Sequence, residues 1–227
     1  MAVVLVLLSG TAFFLSGQTL KERIDLAKVV KVYFKNADIV SKGNTQTEIG
    51  STRFESDCEN FKEKIPMPAE YTDALKQTID LLNKGFNTTA FVAGDFSEID
   101  NIPLAYSGDL NWLKLGQPLV FYFSTSGAYY IRRTTSTKER ENTLEIESYI
   151  YAFAVDNGKL KNLLSTRITW GRSPKVKTEI CTDYDWSVKT FPPSSLADQF
   201  KTNLTENITD LTTREMAKYN KVMQKKK

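Results

Sequence analysis

Apolar and polar positions alternate most regularly between Asn142 and Tyr184. This stretch reads as three strand-like runs separated by Asp156-Asn157-Gly158-Lys159 and Gly171-Arg172-Ser173-Pro174-Lys175. Asn-Gly favours a two-residue type I′ hairpin, because both central residues need positive φ. That turn predicts the pairs Asp156–Lys159, Val155–Leu160, Phe153–Asn162, Tyr151–Leu164 and Glu147–Ile168. A second reversal across Gly171–Lys175 predicts Trp170 opposite Val176, Ile168 opposite Thr178 and Arg167 opposite Glu179. Strand side chains alternate between faces. One face should therefore carry Tyr149, Tyr151, Phe153, Leu164, Ile168 and Trp170. The other should carry Ser148, Ser165, Arg167 and Glu179, with Ile146, Ile150 and Leu163 as apolar exceptions. A bulge would exchange the faces beyond it.

Helical periodicity appears on both sides of this region. Thr19 and Glu22 have capping-box spacing. Leu26, Val29, Val30, Tyr33, Phe34 and Ala37 form a stripe that predicts a helix over 19–41. Residues 42–66 are polar and read as a long loop with at most one short strand. Pro68 suits the start of a second helix, with Tyr71, Ala74, Leu75, Ile79 and Leu82 on one face and Gly85 as its stop. Residues 89–93 suggest a short strand. Pro118–Ser124 and Ala128–Thr134 read as a hairpin about Ser126-Gly127, with Phe123 opposite Tyr130 and Tyr122 opposite Ile131. After Pro192-Pro193, Leu196, Phe200, Leu204, Ile208 and Leu211 recur at nearly four residues. Thr212 and Glu215 repeat the capping-box spacing, which predicts a helix break near 209–212.

The expected fold is therefore α+β: an antiparallel β-meander of about five or six strands. N-terminal helices at 19–41 and 68–85 cover its aromatic face, and a C-terminal helical segment follows. Residues 18–193 form a single α+β domain. Residues 194–227 pack on that domain or extend from it.

Residues 1–17 are uncharged and mostly apolar, and read as a secretory signal peptide cleaved near Ser16–Gln18. The chain is accordingly expected to be secreted or periplasmic, with no stable membrane span after cleavage. Export would permit a Cys58–Cys181 disulfide; two free thiols fit the sequence equally. The sequons at Asn87, Asn203 and Asn207 matter only in a glycosylating pathway.

The 227 residues include 30 basic and 27 acidic side chains, for a net charge of +3. This balance does not indicate a nucleic-acid face. The lysines at 218, 221 and 225–227 read as a solvated helix end. There is no histidine, which removes the commonest general base, the Ser-His and Cys-His nucleophile pairs and His-ligated zinc. Any metal would have to sit among oxygens. No cofactor, metal site or catalytic residue is assigned.

Four groups of residues could carry chemistry. Glu145/Glu147 and Asp183/Asp185 place two carboxylates on one strand face about 6–7 Å apart, as a glycan hydrolase would need. Gly94–Asn101 offers oxygen ligands without EF-hand spacing. Ser124-Thr125-Ser126-Gly127 could cradle an anion, although a hairpin explains its glycine. The aromatic set Tyr122, Tyr129, Tyr130, Tyr149, Tyr151, Phe153 and Trp170 could line a site for a small apolar or carbohydrate ligand, or meet an envelope protein; Tyr130, Tyr149, Tyr151, Phe153 and Trp170 are its leading members. The sequence favours an exported non-catalytic binding module. A carboxylate-dependent hydrolase of glycan-type substrates is the alternative.

Overall fold

The computed structural model describes residues 18–36, 40–43, 46–49, 52–55, 67–95, 117–133, 139–156, 159–173, 176–179 and 193–226. Its first element, α1 (Leu20–Ala27), starts on the expected capping box. Glu22 N–H donates to Thr19 Oγ1 (3.3 Å), and Thr19 N–H donates to Glu22 Oε2 (2.8 Å). The helix ends far earlier than residue 41. Lys28 has φ 59° and ψ −40°, and Val29 N–H donates to the Ala27 carbonyl at 2.6 Å. This is a γ-turn of the strained kind.

β1 (Val30–Asn36) follows immediately. The segment that carries the helical stripe also places Val30, Val32 and Phe34 at period two. Their β-branched and aromatic side chains favour the pleated surface. Val30 and Val32 are buried, and Phe34 packs against the same core. β2 (Val40–Gly43) spans the end of the expected helix and the start of the expected loop, and β3 (Gln46–Ile49) and β4 (Thr52–Glu55) lie within that loop. β3 and β4 pair antiparallel as a separate two-stranded sheet.

The second helix divides at Gln77 into α2 (Ala69–Lys76) and α3 (Thr78–Gly85). Its expected apolar face is buried or partly buried. Its stop is Asn87, not Gly85. Asn87 has φ 48°, its N–H donates to Lys84 O, and Thr88 N–H donates to Asn83 O, which is a Schellman motif. Gly85 serves close approach instead: an added Cβ would collide with the Thr212 side chain. β5 (Phe91–Ala93) lies where a short strand is expected.

The main sheet is mixed rather than antiparallel throughout, with strand order β5-β1-β6-β7-β8. β1 runs parallel to both β5 and β6. α2 and α3 form the crossover that a parallel β1–β5 pair needs. β6 (Leu119–Arg133) is one continuous 15-residue strand, so the hairpin expected at Ser126-Gly127 is absent. Ser126 and Gly127 instead face Glu147 and Ile146 of β7 (Glu139–Asp156). Ladder pairing with a long partner outweighs the local turn signal here, since glycine is costly but tolerated within a strand.

β8 (Lys159–Arg172) pairs with β7 in the expected register only as far as Phe153–Asn162. Two register shifts follow. Tyr151 faces Ser165 rather than Leu164, and Glu147 faces Trp170 rather than Ile168. The segment 171–175 does not reverse the chain. β9 (Val176–Glu179) continues along β7, with Val176 opposite Asn142 and Glu179 opposite Glu139. Ser173 holds this jog: its N–H donates to Leu144 O (2.8 Å), and its Oγ accepts from Leu144 N–H (2.9 Å). The expected Arg167–Glu179 pair therefore does not form; Arg167 faces Tyr149.

The helices cover the face opposite to the one expected. Leu144, Ile146, Ile150, Ala152 and Ala154 of β7 join the core with Phe121 and Phe123 of β6. The supposed exceptions Ile146 and Ile150 are thus core residues. Alanines at 152 and 154 let helices approach closely, which a row of tyrosines would prevent.

α4 (Pro193–Lys225) is a single helix, about 50 Å long at 1.5 Å per residue. It does not break near 209–212. Thr212 Oγ donates back to Thr209 O (3.0 Å), and Thr212 is buried where α4 meets Gly85. Leu196, Phe200, Leu204, Ile208 and Leu211 are all buried, each contributing roughly 1.5–3 kcal/mol. Phe200 meets Tyr71 edge-on at 5.2 Å. At the far end of α4, Lys226 Nζ reaches Glu22 Oε1 of α1 at 2.7 Å.

Asparagine amides engage both edge strands of the sheet. Asn203 and Asn207 of α4 donate to the carbonyls of Trp170 (3.1 Å) and Ile168 (2.8 Å) on β8. Asn83 of α3 both donates to and accepts from the backbone of Phe91 on β5, at 3.0 Å each way. These contacts occupy backbone groups that an open edge would otherwise present.

Candidate functional site

Strand alternation and register assemble the site on the sheet face away from the helices. Three cross-strand rows lie next to one another there. The central row is Tyr33–Tyr122–Tyr151–Ser165, across β1, β6, β7 and β8. One flanking row is Lys31–Val120–Phe153–Asn162, and the other is Lys35–Ser124–Tyr149–Arg167. The rings of Tyr149 and Tyr151 stack at 6.3 Å, and those of Tyr151 and Phe153 at 6.0 Å. Tyr122 lies 5.9 Å from Tyr151.

Burial falls steadily along the central row. Tyr33 is 0% exposed and Tyr122 5%; Tyr151 is half-buried and Ser165 exposed. Burial pushes the Tyr122 hydroxyl up to about 12, with Ser124 opposing and Tyr151 adding to the rise. The accessible part of this face is therefore its β7–β8 side.

Two further rows continue that side toward the jog at Ser173. Glu147 faces Trp170, and Glu145 faces Arg172. Arg172 converges on Glu145 Oε1 through both Nε and Nη2. Its guanidinium also lies 5.7 Å from the Trp170 ring centroid, within cation–π range. Glu147 Oε2 accepts from Tyr149 Oη at 3.4 Å and lies 4.0 Å from Arg167 Nη1. Each carboxylate thus meets an arginine rather than the other carboxylate.

The expected site residues are only partly brought together. Tyr149, Tyr151 and Phe153 form one ladder, and Trp170 is two rows from Tyr151 on the same face. Trp170 is 40% exposed. Tyr130 pairs with Thr143, six residues along β6 from Ser124, or about 20 Å. Tyr122 of the expected aromatic set and Glu145 of the expected carboxylate pair also belong to this face, and Tyr33 joins them although no candidate group includes it. Helical spacing over 19–41 hides Tyr33, because it places on a helix a residue that lies on β1.

The other candidates are less informative. Asp183, Asp185, Cys58, Cys181, residues 1–17 and most of the Gly94–Asn101 segment lie outside the described residues. Among the described residues, no cluster of acidic, cysteine or histidine side chains could hold a metal ion. None of the described helices is long and apolar enough to cross a membrane. Thr125 is buried and shares a hydrogen bond with Ser148 at 2.9 Å. The Ser124–Gly127 run is therefore sheet interior, with no free loop to cradle an anion.

No protein-family model and no curated protein matches the chain. Solved structures to which the chain is similar include the hypothetical protein CT253 from Chlamydia trachomatis, at 9% identity and TM-score 0.33, covering 81% of this chain and 98% of that one. A candidate neuraminyllactose-binding hemagglutinin homolog from Helicobacter pylori is similar at 14% identity and TM-score 0.35, covering 86% and 91%. A candidate lipoprotein from Caulobacter crescentus CB15 is similar at 8% identity and TM-score 0.27, covering 88% and 96%. Likeness at this level carries no function to this chain.

Proposed function

We propose that this chain is an exported, non-catalytic module that binds a small ligand, or an envelope protein, on the aromatic face of its sheet. The observation that carries the reading is the ladder of Tyr149, Tyr151 and Phe153, stacked and half-buried on the side the helices leave. Half-buried tyrosines offer a large apolar ring area that carries a polar tip. Glu145 and Glu147 each meet an arginine rather than converging on a shared site, which supports binding over a paired-carboxylate reaction. The apolar stretch 1–17 supports export.

The test is a titration of the purified chain, followed by calorimetry, with soluble oligosaccharides, myristate and an anionic naphthalene dye as probes. At least one probe is expected to bind, with affinity falling about tenfold in Tyr151→Ala, a loss near 1.4 kcal/mol. Binding of every probe unchanged by Tyr151→Ala and by Phe153→Ala, in variants that still melt cooperatively, would place the site elsewhere and refute the reading.

A further inference from the structure

We infer that the ligand of this face is a neutral oligosaccharide, seated on Trp170 between the Glu145–Arg172 and Glu147–Arg167 pairs. The inference rests on the reading of the aromatic face as a binding site and names the chemistry that face selects. Access is the first argument. Burial closes the β1–β6 side and opens the β7–β8 side, where Trp170 keeps 40% of its surface exposed although Arg172 approaches its ring. A large, rigid aromatic with this exposure suits packing against the C–H face of a pyranose ring.

Charge is the second argument. Glu145 and Glu147 supply two negative charges, and Arg167 and Arg172 supply two positive ones, so the local sum is zero. An anionic ligand drawn to either arginine would meet a carboxylate beside it, and a cationic one would meet an arginine. An aliphatic chain would strip water from four charged groups without replacing their hydrogen bonds, which is costly. A vicinal diol suits the same four groups: one hydroxyl donates to a carboxylate while its neighbour accepts from a guanidinium.

Contact length is the third argument. Glu147 is held loosely, by a hydroxyl at 3.4 Å and a guanidinium nitrogen at 4.0 Å. An oxygen so held can take a shorter hydrogen bond from a ligand without breaking a strong one. The rows along β7 repeat every two residues, or about 6–7 Å. An extended oligosaccharide could therefore run from Trp170 past Tyr149 to Tyr151.

The probes are β-1,4-linked N-acetylglucosamine hexamer and cellohexaose as neutral sugars, sialyllactose as an anionic sugar, and myristate with the naphthalene dye as apolar ligands. The expected result is calorimetric binding of a neutral hexamer. Trp170→Ala should weaken it about tenfold and Glu147→Gln severalfold, with the melting temperature unchanged in Glu147→Gln. Binding confined to the apolar probes, and lost in Tyr151→Ala, would overturn the sugar assignment while leaving the face a binding site. Preference for sialyllactose over the neutral hexamers would overturn neutrality. Binding of none of the probes would remove the face reading and the sugar assignment together.

Discussion

Gly85 and Thr212 show how one missing methyl group positions a helix. Gly85 ends α3, and Thr212 of α4 fills the space a Cβ would need. Alanine is the better helix former by about 1 kcal/mol, so propensity alone predicts that Gly85→Ala stabilises. The contact reverses the sign: overpacking against a buried side chain costs roughly 1–3 kcal/mol. Urea unfolding should show net destabilisation by Gly85→Ala and recovery of most of it in Gly85→Ala/Thr212→Ala, a coupling expected of touching residues. Lys28 is the converse case, a side chain at φ 59° where glycine carries no penalty. Neither role can be read from the sequence. The Gly85 position looked like a helix stop, and the true stop, Asn87, depends on a backbone angle.

At the scale of elements, local signals were legible where they acted alone. The α1 capping box, the apolar face of α2–α3, β5 and the first pairs of the β7–β8 hairpin all follow from spacing and turn chemistry. Signals failed where a long-range partner decided the outcome. Ser126-Gly127 became strand interior because β7 offers an unbroken ladder on one side. Pro174 suggested a reversal, yet Ser173 keeps the chain on course along β7 by bonding to Leu144. The two register shifts in β8 altered the pairing beyond Phe153, and no residue type announces them. The asparagine contacts at the sheet edges also come from outside the strands. Asn83→Ala removes two hydrogen bonds to Phe91 and should cost about 1–3 kcal/mol. In hydrogen exchange, the Phe91 amide should lose protection first, since Asn83 Oδ1 is its acceptor.

At the scale of the whole molecule, the choice of buried face governs which side chains reach solvent and how stability responds to pH. Core packing selected the aliphatic face of β7, and that choice left Tyr149, Tyr151 and Phe153 half-buried on the opposite face. The sequence expectation placed the same residues beneath the helices, so the set was legible while its side of the sheet was not. Tyr122 links this face to stability. Its ionisation is pushed up to about 12 by burial, whereas an unfolded tyrosine ionises near 10. A raised folded value means that its stabilising contribution is complete below about pH 10 and is lost as pH rises toward 12. Tyr122→Phe should therefore flatten the alkaline loss of stability over that window, by on the order of 2 kcal/mol in urea titrations. At the acid end the sign is opposite. The hydrogen bond from Lys226, followed by that from the Thr19 backbone, holds Glu22 below the ordinary carboxylate range. The clasp between α4 and α1 is therefore present above that range and released as pH falls through the lowered folded value.

The β8 edge contacts bear on how this protein can be produced. Asn203 and Asn207 each begin an Asn-X-Thr triplet, and the nitrogen a glycosylating host would modify is the one that donates to β8. A branched glycan on either nitrogen would wedge α4 away from the strand it covers. Asn87, in its exposed turn, has room for one. In a yeast or mammalian secretory line, folded material is expected to carry sugar only at Asn87 by peptide mass spectrometry. Chains modified at 203 or 207 should collect in the retained, misfolded fraction. A bacterial host avoids that loss entirely.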